Sequence, residues 1–94
     1  MESTVVRAHV VVRGRVQMVG FREFVRRHVQ AAGLRGTVRN APDGTVECVI
    51  EGPKPDVTEV IGRLRIGPSH ARVERVDVEY RPAVGDLPQF PVIA

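Results

Sequence analysis

Apolar positions along this chain follow two periods. From Thr4 to Arg13 they alternate: Val6, Ala8, Val10 and Val12 share one side, and Arg7, His9, Val11 and Arg13 the other. A period of two in β-branched residues predicts a half-buried strand. From Phe21 to Ala32 the spacing becomes helical. Phe21, Phe24, Val25, His28, Val29 and Ala32 form one stripe, with Glu23, Arg26, Arg27 and Gln30 facing away, and Gly33 as the stop. Arg35 to Asn40 reads as a short strand, Ala41-Pro42-Asp43-Gly44 as a hairpin turn, and Thr45 to Glu51 as the returning strand. In that strand Val46, Cys48 and Ile50 face inward, so Cys48 reads as a small buried hydrophobe.

Gly52-Pro53-Lys54-Pro55 breaks the strand and opens a second helix, with Val57, Val60, Ile61 and Leu64 as its buried stripe and Gly67-Pro68 as its end. Gly62 weakens this helix unless a close neighbour uses its small size. Val73 to Arg81 is the next strand, with Val76, Val78 and Tyr80 on one face. Val73 is out of phase, which predicts a bulge or a late start. Gly85 to Pro88 is a loop. Phe90 to Ile93 can add a short last strand, which Pro91 confines to an edge. Strand, helix, strand, strand, helix, strand, with one apolar stripe per helix, is an α+β pattern. It predicts a ferredoxin-like sandwich, βαββαβ plus a short C-terminal edge strand, with both helices on one face of an antiparallel sheet, and the second strand, ending at Asn40, is expected to pair beside the first. Residues 1–94 are expected to form a single domain.

The formal charge of +3 favours anionic partners without choosing among them. One cysteine excludes an internal disulfide and suits a reducing compartment. No signal-peptide pattern opens the chain, and no apolar run approaches the ~20 residues of a membrane span. A cytoplasmic protein with no membrane association is expected. No Cys/His cluster has metal-ligand spacing, and His28 reads as a packed or boundary residue.

The stretch of chemical interest is the glycine-bounded loop from Gly14 to Gly20, between the first strand and the first helix. Backbone N–H groups in such a bend can converge on one point. The free N–H groups and dipole of the following helix add positive potential there. Arg22, in the first helical turn, can bring a guanidinium over the same point, and its planar donors suit phosphate oxygens. The stretch therefore reads as a phosphate cradle. It is not a Walker A loop, because no Gly-Lys-Ser/Thr follows.

Gly14-Arg15-Val16-Gln17-Met18-Val19-Gly20-Phe21-Arg22 resembles the acylphosphatase signature Gly-Arg-Val-Gln-Gly-Val-x-Phe-Arg. Gly36-Thr37-Val38-Arg39-Asn40, followed by Asp43-Gly44-x-Val46 and Gly52, resembles the second signature of that family. The resemblance implies hydrolysis of acyl phosphates to a carboxylate and inorganic phosphate, with no metal and no organic cofactor. It implies that the backbone amides of Arg15, Val16, Gln17, Met18, Val19, Gly20 and Phe21 bind the phosphoryl group, that Arg22 binds it through its side chain, and that Asn40 orients the attacking water. Inorganic phosphate is then a product and competitive inhibitor, and a monomer is expected. Two positions depart from the pattern. Met18 stands where the signature has Gly and is strained if that position needs positive φ. Thr37 stands where the second signature has an aromatic.

Other readings remain open to the same residues. Arg22 alone could be a solvated helix arginine, Asn40 a strand-end turn residue, and the side chain of Arg15 mere surface charge. Met18 also allows an anion-binding relative with weakened catalysis. RNA-recognition domains share this order of elements, but they stack bases on aromatic side chains. Here aromatics are only 4% of the chain, and the outward residues are Arg7, His9 and Val11 on the first strand and Thr45, Glu47, Val49 and Glu51 on the third.

Overall fold

A computed structural model describes residues 4–88 and the strand at 92–93. The elements are β1 (Val5–Arg15), α1 (Phe21–Ala31), β2 (Arg35–Asn40), β3 (Val46–Pro53), α2 (Lys54–Ile66), β4 (Arg72–Pro82) and β5 (Val92–Ile93). The predicted order of elements is present, with ends shifted by one or two residues. Phe90 and Pro91, part of the expected last strand, lie outside the described residues.

The sheet order is β4-β1-β3-β2-β5. Pairing is antiparallel throughout β4, β1, β3 and β2, while β5 joins the far edge parallel to β2. The edge position of β5 was expected; its parallel pairing was not. Helix α1 packs over β2, β3 and β5, and α2 packs over β1, β3 and β4. The core lies between the helices and one sheet face. Val6, Ala8, Val10 and Val12 of β1, Val46, Cys48 and Ile50 of β3, and Val57, Val60, Ile61 and Leu64 of α2 are all buried, as their alternation and stripes require. In α1, Phe21, Val25 and Val29 are buried, while Phe24 only packs against the core. Each fully buried Val or Leu contributes about 1.5–3 kcal/mol relative to exposure. Burial pushes the Cys48 thiol up to about 12, so it is a core residue rather than a nucleophile.

The out-of-phase Val73 marks a bulge. Arg13 faces Arg75 and Gly14 faces Val73, so Glu74 has no residue opposite. Gly14 has φ 129°, and a Cβ there would lie 2.1 Å from the Arg72 carbonyl oxygen. Only glycine fits that approach.

One expectation about neighbours is overturned. An antiparallel sheet read in chain order puts β2 beside β1. Instead β3 lies between them, pairing with both. The crossover through α1 skips one strand position, and the hairpin returns β3 into the gap. Because β3 is antiparallel to both neighbours, β1 and β2 run in the same direction. Their C-terminal ends therefore emerge at the same end of the sheet, about 10 Å apart across β3.

Candidate active site

That shared end of the sheet carries the residues singled out by the motifs. The bend after β1 spans residues 16–20. Val16 and Phe21, both buried, pin its two ends into the core. Gly20 is the N-cap of α1, with φ 78° and no side-chain cap. The first helical hydrogen bond runs from the Phe24 N–H to the Gly20 carbonyl at 3.0 Å. The N–H groups of the first turn therefore precede the helical ladder and have no capping side chain, which is the arrangement that attracts an anion.

Val16, Met18, Gly20, Phe21, Arg22, Glu23 and Asn40 line one cleft of about 170 Å³. Arg22 and Asn40 thus meet in one site, although they come from α1 and from the last residue of β2. The Asn40 Oδ1 is buried and has no hydrogen-bond partner among the described residues. A buried carbonyl acceptor left empty is costly unless a ligand or water completes it. Glu23 would oppose an anion in the same cleft, but its carboxylate is taken up by Arg26, with Arg26 Nε donating at 2.9 Å. That hydrogen bond holds the Glu23 carboxyl below its usual range.

Met18 has φ 61°, the one non-glycine residue in the left-handed region among the described residues. Its side chain is 100% exposed, so the bend keeps its shape by pointing the methionine into solvent. The strain foreseen from the sequence is present, of order 1 kcal/mol. The loop does not start at Gly14 as the glycine boundary suggested. Arg15 is still a strand residue, opposite Arg72, and does not line the cleft.

Gln17 does something that the motif did not indicate. Its Nε2 donates to the carbonyl oxygens of Ala41 at 2.8 Å and Thr45 at 3.0 Å. The bend after β1 is thereby tied to the β2–β3 turn across the start of β3. The turn is closed internally: the Ala41 N–H donates to Thr45 O at 2.9 Å, and Asp43 Oδ1 accepts from the Thr45 hydroxyl at 2.6 Å. Asn40 precedes this clamped turn by one residue. A glutamine in a glycine-bounded bend was the available signal, but its partners lie more than twenty residues away in the chain.

Other clefts lack such a bend. The groove between α1 and α2, about 280 Å³, holds His28, Asp56, Glu59 and Arg63. Phe24 packs on the His28 ring at 4.4 Å between centroids. Burial first, then Arg63 and Arg27, lower the His28 pKa. It is the boundary histidine expected. Among the described residues no three His, Cys, Asp or Glu side chains cluster to hold a metal ion, and no helix is long and apolar enough to cross a membrane. Among the described residues there is no aromatic platform either: Phe21 and Phe24 belong to α1, and Tyr80 lies against Lys54 and Thr58 of α2.

Fold and cleft define a small ferredoxin-like sandwich with a bend of uncapped N–H groups at the head of its first helix. The acylphosphatase family model matches residues 8–92, and the chain belongs to that family. An acylphosphatase from Caldivirga maquilingensis is 50% identical over 88 residues, covering 93% of both chains. The crystal structure of acylphosphatase from Bacillus subtilis superposes with a TM-score of 0.90 at 29% identity, covering 95% of this chain and 98% of that one. An acylphosphatase structure from Coxiella burnetii gives 0.87 at 32% identity, covering 97% and 94%. The activity is hydrolysis of acyl phosphates, as the two motifs implied.

Proposed function

We propose that the cleft at the head of α1 is where the acyl phosphate is cleaved, with each group in the role its chemistry suits. The backbone N–H groups of the bend and first helical residue, Val16 to Phe21, bind the phosphoryl oxygens; Arg15, paired in β1 outside the cleft lining, is not among them. Arg22 adds a fixed positive charge. Asn40 holds the attacking water. The observation that carries the reading is the buried, unpartnered Asn40 Oδ1 in a cleft shared with Arg22 and the bend. It can accept a hydrogen bond from the water, while the Asn40 amide N–H₂ donates to the phosphoryl group.

The reaction needs little more. The leaving group is a carboxylate, whose conjugate acid has a pKa of about 4, so no general acid is required. Phosphoryl transfer passes through a loose transition state, in which charge stabilisation and alignment outweigh activation of the nucleophile. Positioned N–H donors and a guanidinium meet that demand. On this reading turnover needs no metal or organic cofactor, and inorganic phosphate competes for the cradle. The 94-residue chain acts as one domain, a monomer in the cytoplasm.

The test is hydrolysis of benzoyl phosphate with and without a chelator, in the parent and in Arg22→Gln and Asn40→Ala. Activity should be unaffected by the chelator. It should fall about 100-fold to 1,000-fold in each variant while the far-UV circular dichroism stays unchanged. An Asn40→Ala protein that keeps its activity would remove the water-holding role.

A further inference from the structure

The geometry points to Met18 as a specificity-determining residue: its side chain forms an apolar rim at the mouth of the cleft and contacts the acyl half of the substrate. This favours acyl phosphates with an aromatic or extended aliphatic acyl group. The inference rests on the cleft being the catalytic site.

Three observations converge on it. Met18 lines the cleft together with Arg22 and Asn40. Its backbone has φ 61°, a conformation that glycine adopts without strain and methionine does not. Its side chain is 100% exposed, so no packing within the protein offsets that strain. Strain held without internal compensation points to a ligand contact, and strained residues gather at binding sites. A tetrahedral phosphoryl group in the cradle must project its acyl substituent outwards, past the residues of the mouth. Among the cleft-lining side chains, Val16 and Phe21 are committed to the core. Met18 is the apolar one left in solvent. Its unbranched thioether adapts to varied apolar surfaces and makes favourable contacts with aromatic rings. A benzoyl ring offers that thioether far more apolar and aromatic surface than an acetyl group does.

The experiment measures kcat/KM for benzoyl phosphate and for acetyl phosphate in the parent, Met18→Gly, Met18→Ala and Met18→Leu. A change in the phosphate cradle affects both substrates alike and cancels from the ratio. The benzoyl-to-acetyl ratio should fall about threefold to tenfold in the Gly and Ala variants. Ala keeps the backbone strain and Gly relieves it, so agreement between them assigns the loss to the missing side chain. Leu should restore the ratio to within about twofold of the parent, because it keeps an apolar branch of similar size. An unchanged ratio in the Gly and Ala variants, or a Leu variant that falls as far as Ala, overturns the inference. Failure of the underlying site would look different: Arg22→Gln would then retain activity towards both substrates.

Discussion

Gln17 and Asn40 show how a side chain acquires its task from a neighbour remote in sequence. The Gln17 amide spans the start of β3 and holds the turn that follows Asn40. Replacing Gln17 by Ala removes one of the two donors to each of two carbonyl oxygens, which keep the Gly44 and Ala41 N–H groups. Stability should fall by about 0.5–1.5 kcal/mol in urea unfolding. Catalysis should suffer through alignment: kcat drops about tenfold to 100-fold, with a much smaller change in KM, since the cradle and Arg22 stay in place. A variant that loses affinity but keeps kcat would place Gln17 in phosphate binding instead. Asn40 is not a base, so the pH–rate profile should be shallow around neutrality. A steep limb near pH 6.5 would assign proton transfer to a histidine, contrary to the absence of one from the cleft lining.

Among the helices and strands, α2 illustrates a local choice that packing does not use. Gly62 interrupts an otherwise regular helix, and a Cβ built there meets nothing within 4 Å. Its small size therefore serves no close approach. Gly62→Ala should raise stability by about 0.5–1 kcal/mol, read as a higher urea midpoint at unchanged m-value, because alanine loses less backbone entropy on folding. Gly14 is the opposite case. There the bulge at Glu74 of β4 brings the Arg72 carbonyl against the glycine, just before β1 gives way to the bend. The two glycines look alike in the chain and differ only in what the fold puts beside them.

The chain as a unit must carry its C-terminal segment from β4 at one edge of the sheet to β5 at the other. Residues 84–87 of that segment lie over the face opposite the helices, and Glu51 anchors them. The Glu51 carboxylate accepts from Arg7 Nε at 2.9 Å, the Val84 N–H at 3.1 Å and the Gly85 N–H at 2.8 Å. Arg7 also pairs with Asp86, and Arg35 donates to the Leu87 carbonyl at 3.3 Å. Burial pushes the Glu51 carboxyl upwards, but the Val84 N–H, the Arg7 guanidinium and the Gly85 N–H outweigh it and hold it below 4.5. The folded form therefore binds this proton less readily than the unfolded chain does. The stabilisation is complete above about pH 4.5 and is lost as pH falls through the lower folded value. Glu51→Gln should lose about 1–3 kcal/mol at pH 7 and show a flatter decline in acid, followed by urea unfolding at pH 7 and pH 3. An equal loss at both pH values would mean that the carboxylate charge contributes nothing to anchoring the crossing.

Much of this protein was open to reading along the chain. Alternation and helical stripes are local consequences of side-chain direction, so the elements and their buried faces followed from spacing. Two contiguous motifs were likewise enough to pick out the bend, Arg22 and Asn40, and the out-of-phase Val73 announced the bulge. Which strands become neighbours is another matter. It depends on the route of the crossovers and on burying both helices at once, and no residue encodes that alone. Hence β3 between β1 and β2, β5 parallel to β2, and the Glu51 anchor all emerged with the fold. So did the reach of Gln17 to a distant turn and the empty acceptor of Asn40, because hydrogen-bond partners are chosen in space. Periodicity is written residue by residue; adjacency across the sheet exists once the chain has closed on itself.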